Sequence, residues 1–403
     1  MSDGPLAKPN VSPAVAWLRT PAAIRERCHQ LLDLGLARRL PHFRVEPSRL
    51  PAVVDAVLEV TRECYPTLDI PLHSRWGHFD VGGVGRVAQL DARLKDATPQ
   101  ERARAKLDLV VVSVLLDAGS GPRWRYTEPG GATYARSEGL AVASLRMFLD
   151  GLFSSDPKQP LRADAEGLGR LTLERLARGM QVSEDNPLDG LEGRLHLLRG
   201  LSRVLPRPGA LFDLVASRGG GVRAAELLGE VLEHLGPIWP GRVMVDAVNL
   251  GDVWPHSALG PAESVDALVP FHKLSQWMTY SLVEPLAEAG VRVTELDGLT
   301  GLPEYRNGGL FVDLGVLVPR DERLTTQALR PGEEPIVEWR ALTVALLDRV
   351  AALVRGRLGL GPEELPLGKV LQGGTWTAGR RVAARLRPGG VPPIRVESDG
   401  TVF

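Results

Sequence analysis

The sequence predicts a mainly α protein with a small β component. Helix-period apolar patterning recurs from residue 49 to the C-terminal region, while strand-like runs are few and short. The 44 glycines and 32 prolines cluster between the periodic stretches, as expected for many short helices joined by structured loops.

In chain order, residues 1–45 read as an N-terminal extension and 46–403 as one large helical domain, any subdivision falling near 205–240. Arg49–Glu63 is periodic, with Ser48 as a candidate N-cap and Pro51 in its first turn. Thr98–Asp117 starts with an N-cap threonine and Pro99, and its second half, LDLVVVSVLL, is apolar on most sides and so buried. Ser137–Gly151 follows, with Arg136 and Glu138 at its mouth. Leu161–Met180, Pro187–Leu201 and Val222–His234 each carry glycine or proline near their ends. Glu334–Leu358 is the longest helix, and Pro366–Arg387 holds the last. Strand signal is confined to Arg242–Val245, Val291–Leu296 and the terminal Pro393–Phe403 segment, where Asp399-Gly400 suits a hairpin turn.

Composition excludes several function classes. With 44% hydrophobic and 24% charged residues and a net charge of −1, the chain has no global field for nucleic acid or an anionic membrane. Cys28 and Cys64 are too few for a disulfide framework or a cysteine zinc site, which points to a reducing compartment. The N-terminus lacks a signal-peptide apolar run and no segment reaches membrane-spanning length, so a cytoplasmic protein is expected.

The segment from Val269 to Asp313 carries the most chemistry. Phe271, Leu274, Met278 and Leu282 form an apolar stripe at three- and four-residue steps. Lys273, Gln276, Trp277, Tyr280 and Glu284 lie on another side, where two large aromatics replace the usual solvated charges. A glycine-punctuated loop then presents Glu304, Tyr305, Arg306 and Asn307. A lysine on a helix followed by a carboxylate beside an aromatic and an arginine suits a polar substrate containing a ring.

Other clusters compete. The non-helical stretch PLHSRWGHFD holds His73, Trp76, His78, Phe79 and Asp80. Its spacing matches no zinc signature, a structured loop is the bland reading, and Trp76 and Phe79 suit stacking on a flat ring. Asp252–His256 is similar in flavour. Asp117 precedes a loop, AGSGPRWRY, able to approach a ligand. QGGTWTAGRR (372–381) fits either a phosphate cradle at a helix start or close helix packing. Glu338-Trp339-Arg340 is read as structural, a pair able to hold the Glu304 segment. A G-x-S-x-G elbow is absent, and Gly82-Gly83-Val84-Gly85 lacks the strand–helix setting of a dinucleotide site.

The strings PLHSRWGHF, VPFHKLSQWMTYSLVEPL, GLTGLPEYRNGGLFVDLGVL, IVEWRALTV and LQGGTWTAGR closely resemble a bacterial and fungal family whose fungal members belong to the URC pathway of uracil catabolism. That family is in turn distantly similar to the queuosine salvage proteins, nucleotide N-glycosidases with a fold like the helix-hairpin-helix DNA glycosylases. The salvage pattern K-R-A-Q-I-L, F-A-D-Y-R, E-I-R maps onto Lys273 with Gln276, Glu304-Tyr305-Arg306, and Glu338 with Arg340, with glutamate standing where the salvage proteins have aspartate.

This resemblance implies cleavage of a C1′–N bond in a uracil-derived ribonucleotide, most naturally a ring-opened, ribosylurea-like phosphate. Glu304 is then the carboxylate beside the developing positive charge and Lys273 the proton donor to the leaving nitrogen. Arg136, Arg306 and Arg380 are candidate phosphate clamps, and Trp76, Asp117, Gln276, Trp277, Tyr280 and Tyr305 candidate pocket residues. No metal or cofactor is expected, and the partner is a nucleotide-like small molecule. Two alternatives stand beside this reading. One is a metal-dependent hydrolase of a ring-opened pyrimidine using His73, His78 and Asp252 or His256; the other is a non-catalytic nucleotide-binding partner in the same pathway.

Overall fold

The computed structural model describes residues 11–219 and 221–402, and over them the chain is mainly helical. Its long helices form where the periodicity places them. Glu334–Leu358 has the predicted bounds and ends at Gly359, whose φ of 70° closes the helix in the left-handed region. Pro99–Leu115 starts at Thr98, whose hydroxyl accepts from the Glu101 N–H at 3.2 Å. Its second half is buried all round, packed against Lys273–Glu288 and Arg136–Leu149.

Sequence expectation and structure part in five places. Leu161–Met180 is two short helices, Ala165–Gly169 and Leu173–Gly179. Asp164 caps the first and Thr172 restarts the second, so two local caps outcompete one continuous helix. Ser48 lies in a 3₁₀ turn, Pro47–Arg49, and caps nothing; the helix proper is Leu50–Cys64. Within the stretch read as non-helical, Arg75–Phe79 forms a short helix. The last helix is interrupted: Leu367–Val370 passes through a π-helical turn at Leu371–Thr375 into Trp376–Leu386. The terminal segment makes no hairpin. Arg395–Val396 instead pairs in parallel with Ala328–Leu329.

Among the described residues, strands occur only as six two-stranded ribbons. Val253–Pro255 pairs antiparallel with Leu268–Pro270, which brings Asp252 to the start of the Lys273–Glu288 helix. Arg292–Thr294 pairs in parallel with Gly221–Arg223.

One contiguous apolar core runs through the molecule. It includes Ile24, Cys28, Leu31 and Leu32 of the Pro21–Leu36 helix, which packs along Glu334–Leu358. From residue 21 onward the stretch read as an extension is therefore part of the core; its first ten residues lie outside the described ones. The same core includes Leu205, Leu211, Leu227 and Val231, so among the described residues it continues through 205–240. Among the described residues, no helix is long and apolar enough to cross a membrane.

The glycines of QGGTWTAGRR are explained by close approach. A Cβ on Gly374 would lie 2.5 Å from Val57 Cγ1, and one on Gly379 would meet the Arg306 carbonyl oxygen. Gly379 thus lets Trp376–Leu386 cross Tyr305–Asp313 closely enough to seat Arg306. Gly379→Ala is expected to cost about 1–3 kcal/mol through overpacking, read as a lowered denaturation midpoint. An unchanged midpoint would show that the crossing relaxes freely.

Candidate functional site

The site grows from the starts of two helices. At the first, His272 adopts φ 47°, and the following Lys273 N–H donates to Asp252 Oδ2 at 3.0 Å. Asp252 is held by both ends of the Arg340 guanidinium, at 2.8 and 2.7 Å, and by Trp254 Nε1 at 2.8 Å. Although burial alone would raise its pKa, Arg340 and these N–H donors hold this carboxyl far below the ordinary range. Lys273 is anchored by a fixed charge pair rather than by loop chemistry.

Along the same helix, three residues that look equivalent in sequence have different fates. Gln276 and Tyr280 are fully buried and hold the Thr300 loop: Gln276 bonds the Thr300 side chain and N–H, and the Tyr280 hydroxyl donates to the Thr300 carbonyl at 3.2 Å. Trp277 donates its Nε1 to Asp117 Oδ2 at 3.0 Å.

Glu304 caps the second helix, Tyr305–Asp313. Its carboxylate accepts from the Asn307 N–H at 2.6 Å and the Arg306 N–H at 2.9 Å. Burial pushes its pKa up, opposed by Arg306, these two N–H groups and Lys273. Burial pulls the Lys273 pKa down, opposed chiefly by Asp117 and Glu304. Each retains a minor solvent-facing surface. The pair is therefore electrostatically coupled, with both pKa values moved toward neutrality.

Arg306 continues this loop into a cavity of about 240 Å³ whose lining includes Arg136, Tyr305, Arg306 and Arg380. Lys273 and Glu304 are not in its lining. The Arg306 guanidinium is only 5% exposed and lies 4.0 Å from the Trp376 ring centre and 5.4 Å from that of Tyr305. Its Nε donates to the Tyr305 hydroxyl at 3.1 Å, and Nη2 faces Glu138 at 3.7 Å. Its buried Nη1 has no hydrogen-bond partner among the described residues. Glu138 also takes Arg380 Nη1 at 2.6 Å. Arg136, strained at φ 55°, reaches the Gly389 carbonyl at 3.2 Å and stands over the Tyr305 ring. Three guanidiniums line the cavity with one carboxylate, Asp313, which Arg387 Nη1 already pairs at 2.7 Å; even with Glu138 behind Arg306 and Arg380, positive charge is in excess there, which suits an anion.

On the Trp376 side lies a second group. His78 stacks on Trp376 at 5.4 Å, and His73 lies 4.7 Å from Trp277. Behind them the buried Arg75 pairs with Asp117 at 2.8 Å, and Ser137 Oγ bonds the same carboxylate. Burial lowers the His73 pKa to about 4, and His78 is pulled well below the usual imidazole range by burial and then by Arg75. Both rings are neutral at physiological pH.

Of the residues predicted from sequence, the structure brings Arg136, Tyr305, Arg306 and Arg380 around one cavity, and places Asp117 with Trp277. Trp76 lies apart: its Nε1 donates to the Ser281 carbonyl at 2.8 Å and its ring packs edge-on against Phe79. Glu338 accepts from the Phe43 N–H at 2.7 Å and faces His256 at 3.1 Å, so it holds those segments rather than the Glu304 loop. Asp252 and His256 are thus engaged elsewhere. Among the described residues, no three His, Cys, Asp or Glu side chains are grouped to hold a metal ion. Trp376, Glu138, Ser137 and Arg75 were not singled out as site residues. Trp376 and Arg75 lie inside the quoted strings, and that was the available signal.

Comparison with known proteins places this architecture. The chain is 44% identical over 401 residues to "Protein urg3" of Schizosaccharomyces pombe, covering 96% of this chain and 99% of that protein. It is 38% identical over 436 residues to "Uracil catabolism protein 4" of Lachancea kluyveri, again covering 96% and 99%. The family model described as "Protein of unknown function (DUF1688)" matches residues 17–403. Aligned nearly end to end with both relatives and matched by that model over almost its whole length, the chain belongs to the DUF1688 family.

Proposed function

We propose that this protein acts in uracil catabolism, in the cytoplasm, by hydrolysing the N-glycosidic bond of a uracil-derived, ring-opened ribonucleotide on a fold like that of the queuosine salvage glycosidases. The pathway assignment draws on the name of the Lachancea relative. The carrying observation is Arg306: a buried guanidinium with an unpartnered Nη1, on the wall of an arginine-lined cavity, two residues after Glu304. At about 240 Å³ the cavity is smaller than the roughly 300–1,000 Å³ typical of drug-sized ligands, and suits the phosphate end of the ligand, with C1′ of the ribose reaching beyond it toward Glu304.

In this reading the arginines hold the 5′-phosphate. Glu304 stabilises positive charge on C1′ as the C1′–N bond breaks, Lys273 gives the departing nitrogen a proton, and water adds its oxygen to C1′ while the proton it loses returns Lys273 to its charged form. Glu304 must be ionised and Lys273 protonated. Since the Glu304 pKa is raised and the Lys273 pKa lowered by burial, activity follows a bell: rising with pH as Glu304 ionises, falling as Lys273 deprotonates. The bell should be narrower than unshifted glutamate and lysine would produce, and Lys273→Arg should carry the alkaline limb to higher pH. The assay is release of ribose 5-phosphate from uridine 5′-phosphate and its ring-opened derivatives. No release from any ribosylated substrate would overturn the glycosidase reading.

A nucleotide-binding role without chemistry is the second reading, favoured by one observation. Both Glu304 oxygens already cap a helix, a sufficient structural reason for that residue.

A further inference from the structure

The two neutral histidines carry information that this mechanism does not use. His73 Nδ1 lies 2.9 Å from Gln372 Oε1, an oxygen that only accepts, so His73 is protonated on Nδ1. Gln372 Nε2, the other end of this amide, donates to the Tyr65 hydroxyl at 3.1 Å. His78 Nδ1 lies 3.0 Å from Ser137 Oγ, and that hydroxyl is 2.8 and 2.9 Å from the two Asp117 oxygens. A carboxylate only accepts, so the Ser137 proton goes to Asp117 and its oxygen receives the His78 Nδ1 proton. Arg75 Nη1 is 3.4 Å from the same imidazole nitrogen, but two closer acceptors take its two protons: the Ser137 carbonyl and Ser137 Oγ, each at 3.0 Å.

Both rings therefore present an Nε2 lone pair. Neither Nε2 has a hydrogen-bond partner among the described residues, although His73 is 3% and His78 8% exposed. An NH₂ group making two hydrogen bonds of ~2.9 Å spans about 5 Å between its acceptors, a separation that ring centres 6.1 Å apart allow for the two ring nitrogens. Trp277 and Trp376 each lie within 5.9 Å of both rings and provide flat walls.

What fills such a place is a planar donor with two N–H bonds. A metal cation is disfavoured, because the charges acting on His78 are those of Arg75, Arg306 and Arg380 and a third ligand is lacking among the described residues. A uracil ring joined to ribose has one N–H, flanked by carbonyl oxygens that would face the lone pairs. A ureido group ends in NH₂.

We propose that His73 and His78 form an acceptor pair for the NH₂-bearing ureido end of a ring-opened nucleotide and discriminate against the intact uracil ring. The proposal rests on the reading above for the ribose phosphate end of the same ligand.

Calorimetric titration of the full chain with ribose 5-phosphate, uridine 5′-phosphate and ribosylurea 5′-phosphate tests it. Ribosylurea 5′-phosphate should bind at least about tenfold more tightly than the other two, and His73→Phe and His78→Phe should each remove most of that advantage while leaving ribose 5-phosphate affinity unchanged. Nitrogen-15 NMR of the wild-type histidines keeps the test decisive if a variant fails to fold. Both should be Nδ1–H tautomers, and both Nε2 resonances should shift with ribosylurea 5′-phosphate but not with ribose 5-phosphate. Equal affinity for the three ligands, an advantage retained in both variants, an Nε2–H tautomer at either ring, or stoichiometric zinc bound through these histidines would each overturn the proposal. Cleavage is scored separately: the affinity order without ribose 5-phosphate release removes the glycosidase reading and leaves this one, and release without the affinity order does the reverse.

Discussion

Glu304→Gln is expected to lower turnover about a hundredfold or more while substrate binding stays largely intact. Removing negative charge where positive charge develops on C1′ should raise the barrier by on the order of 3 kcal/mol. The structure adds a second effect. A glutamine can cap one of the two N–H groups at 306 and 307, but its amide NH₂ then faces the other donor, so a stability loss of about 1 kcal/mol accompanies the kinetic one. Glu304→Asp separates the two, since aspartate is a favourable N-cap and keeps the charge at the length found in the salvage family. It should fold normally and lose less turnover. Release of ribose 5-phosphate, with a denaturation midpoint for each variant, is the measurement. Full turnover in a folded Glu304→Gln protein would reject the carboxylate's role.

Arg340→Met should be the most damaging single change to stability discussed here, at about 3–5 kcal/mol. It strands the Asp252 carboxylate in the interior, since Arg340 is 1% exposed and supplies two of that carboxylate's hydrogen bonds. The sign of the pH dependence follows. In the wild type the folded-state pKa of Asp252 is depressed, so its contribution is present above the unfolded-state pKa and is lost as pH falls through the folded value. Without Arg340 burial dominates, the folded pKa moves above the unfolded one, and the variant is stabilised as Asp252 protonates. The stability gap should therefore narrow on acidification from neutral pH toward the unfolded carboxylate range, about pH 4. A pH-independent gap in denaturant unfolding would mean that the loss comes from packing against Phe271, over whose ring Arg340 also stacks at 4.1 Å.

How far the site was legible in the sequence varies from residue to residue. The loop arginine Arg306 and its neighbour Tyr305 were visible because a glycine-flanked acidic-aromatic-basic string stands out from a solvated loop. Gln276 and Tyr280 were not separable from Trp277, because all share a polar-aromatic helix side. What separates them is the Thr300 loop, which folds back on the first two. His73 and His78 suggested a metal by residue type. Their partners, Gln372 and Ser137, are 299 and 59 residues away, and no local spacing encodes them.

By itself the sequence determined the mainly helical class, most of the long helices, the shortness of the strands and the chain's place in its family. Those features follow from short-range physics: apolar periodicity, capping side chains, and prolines and glycines at joints. Tertiary structure alone decided which polar groups share surroundings. It put Arg136, Arg306 and Arg380 around one cavity, spent Glu338 and Arg340 on anchoring distant segments, and left Arg306 Nη1 and the Nε2 of two imidazoles without hydrogen-bond partners among the described residues. A hydrogen bond or ion pair depends on which surfaces the core's packing brings within about 3 Å, and that distance is set by the whole fold.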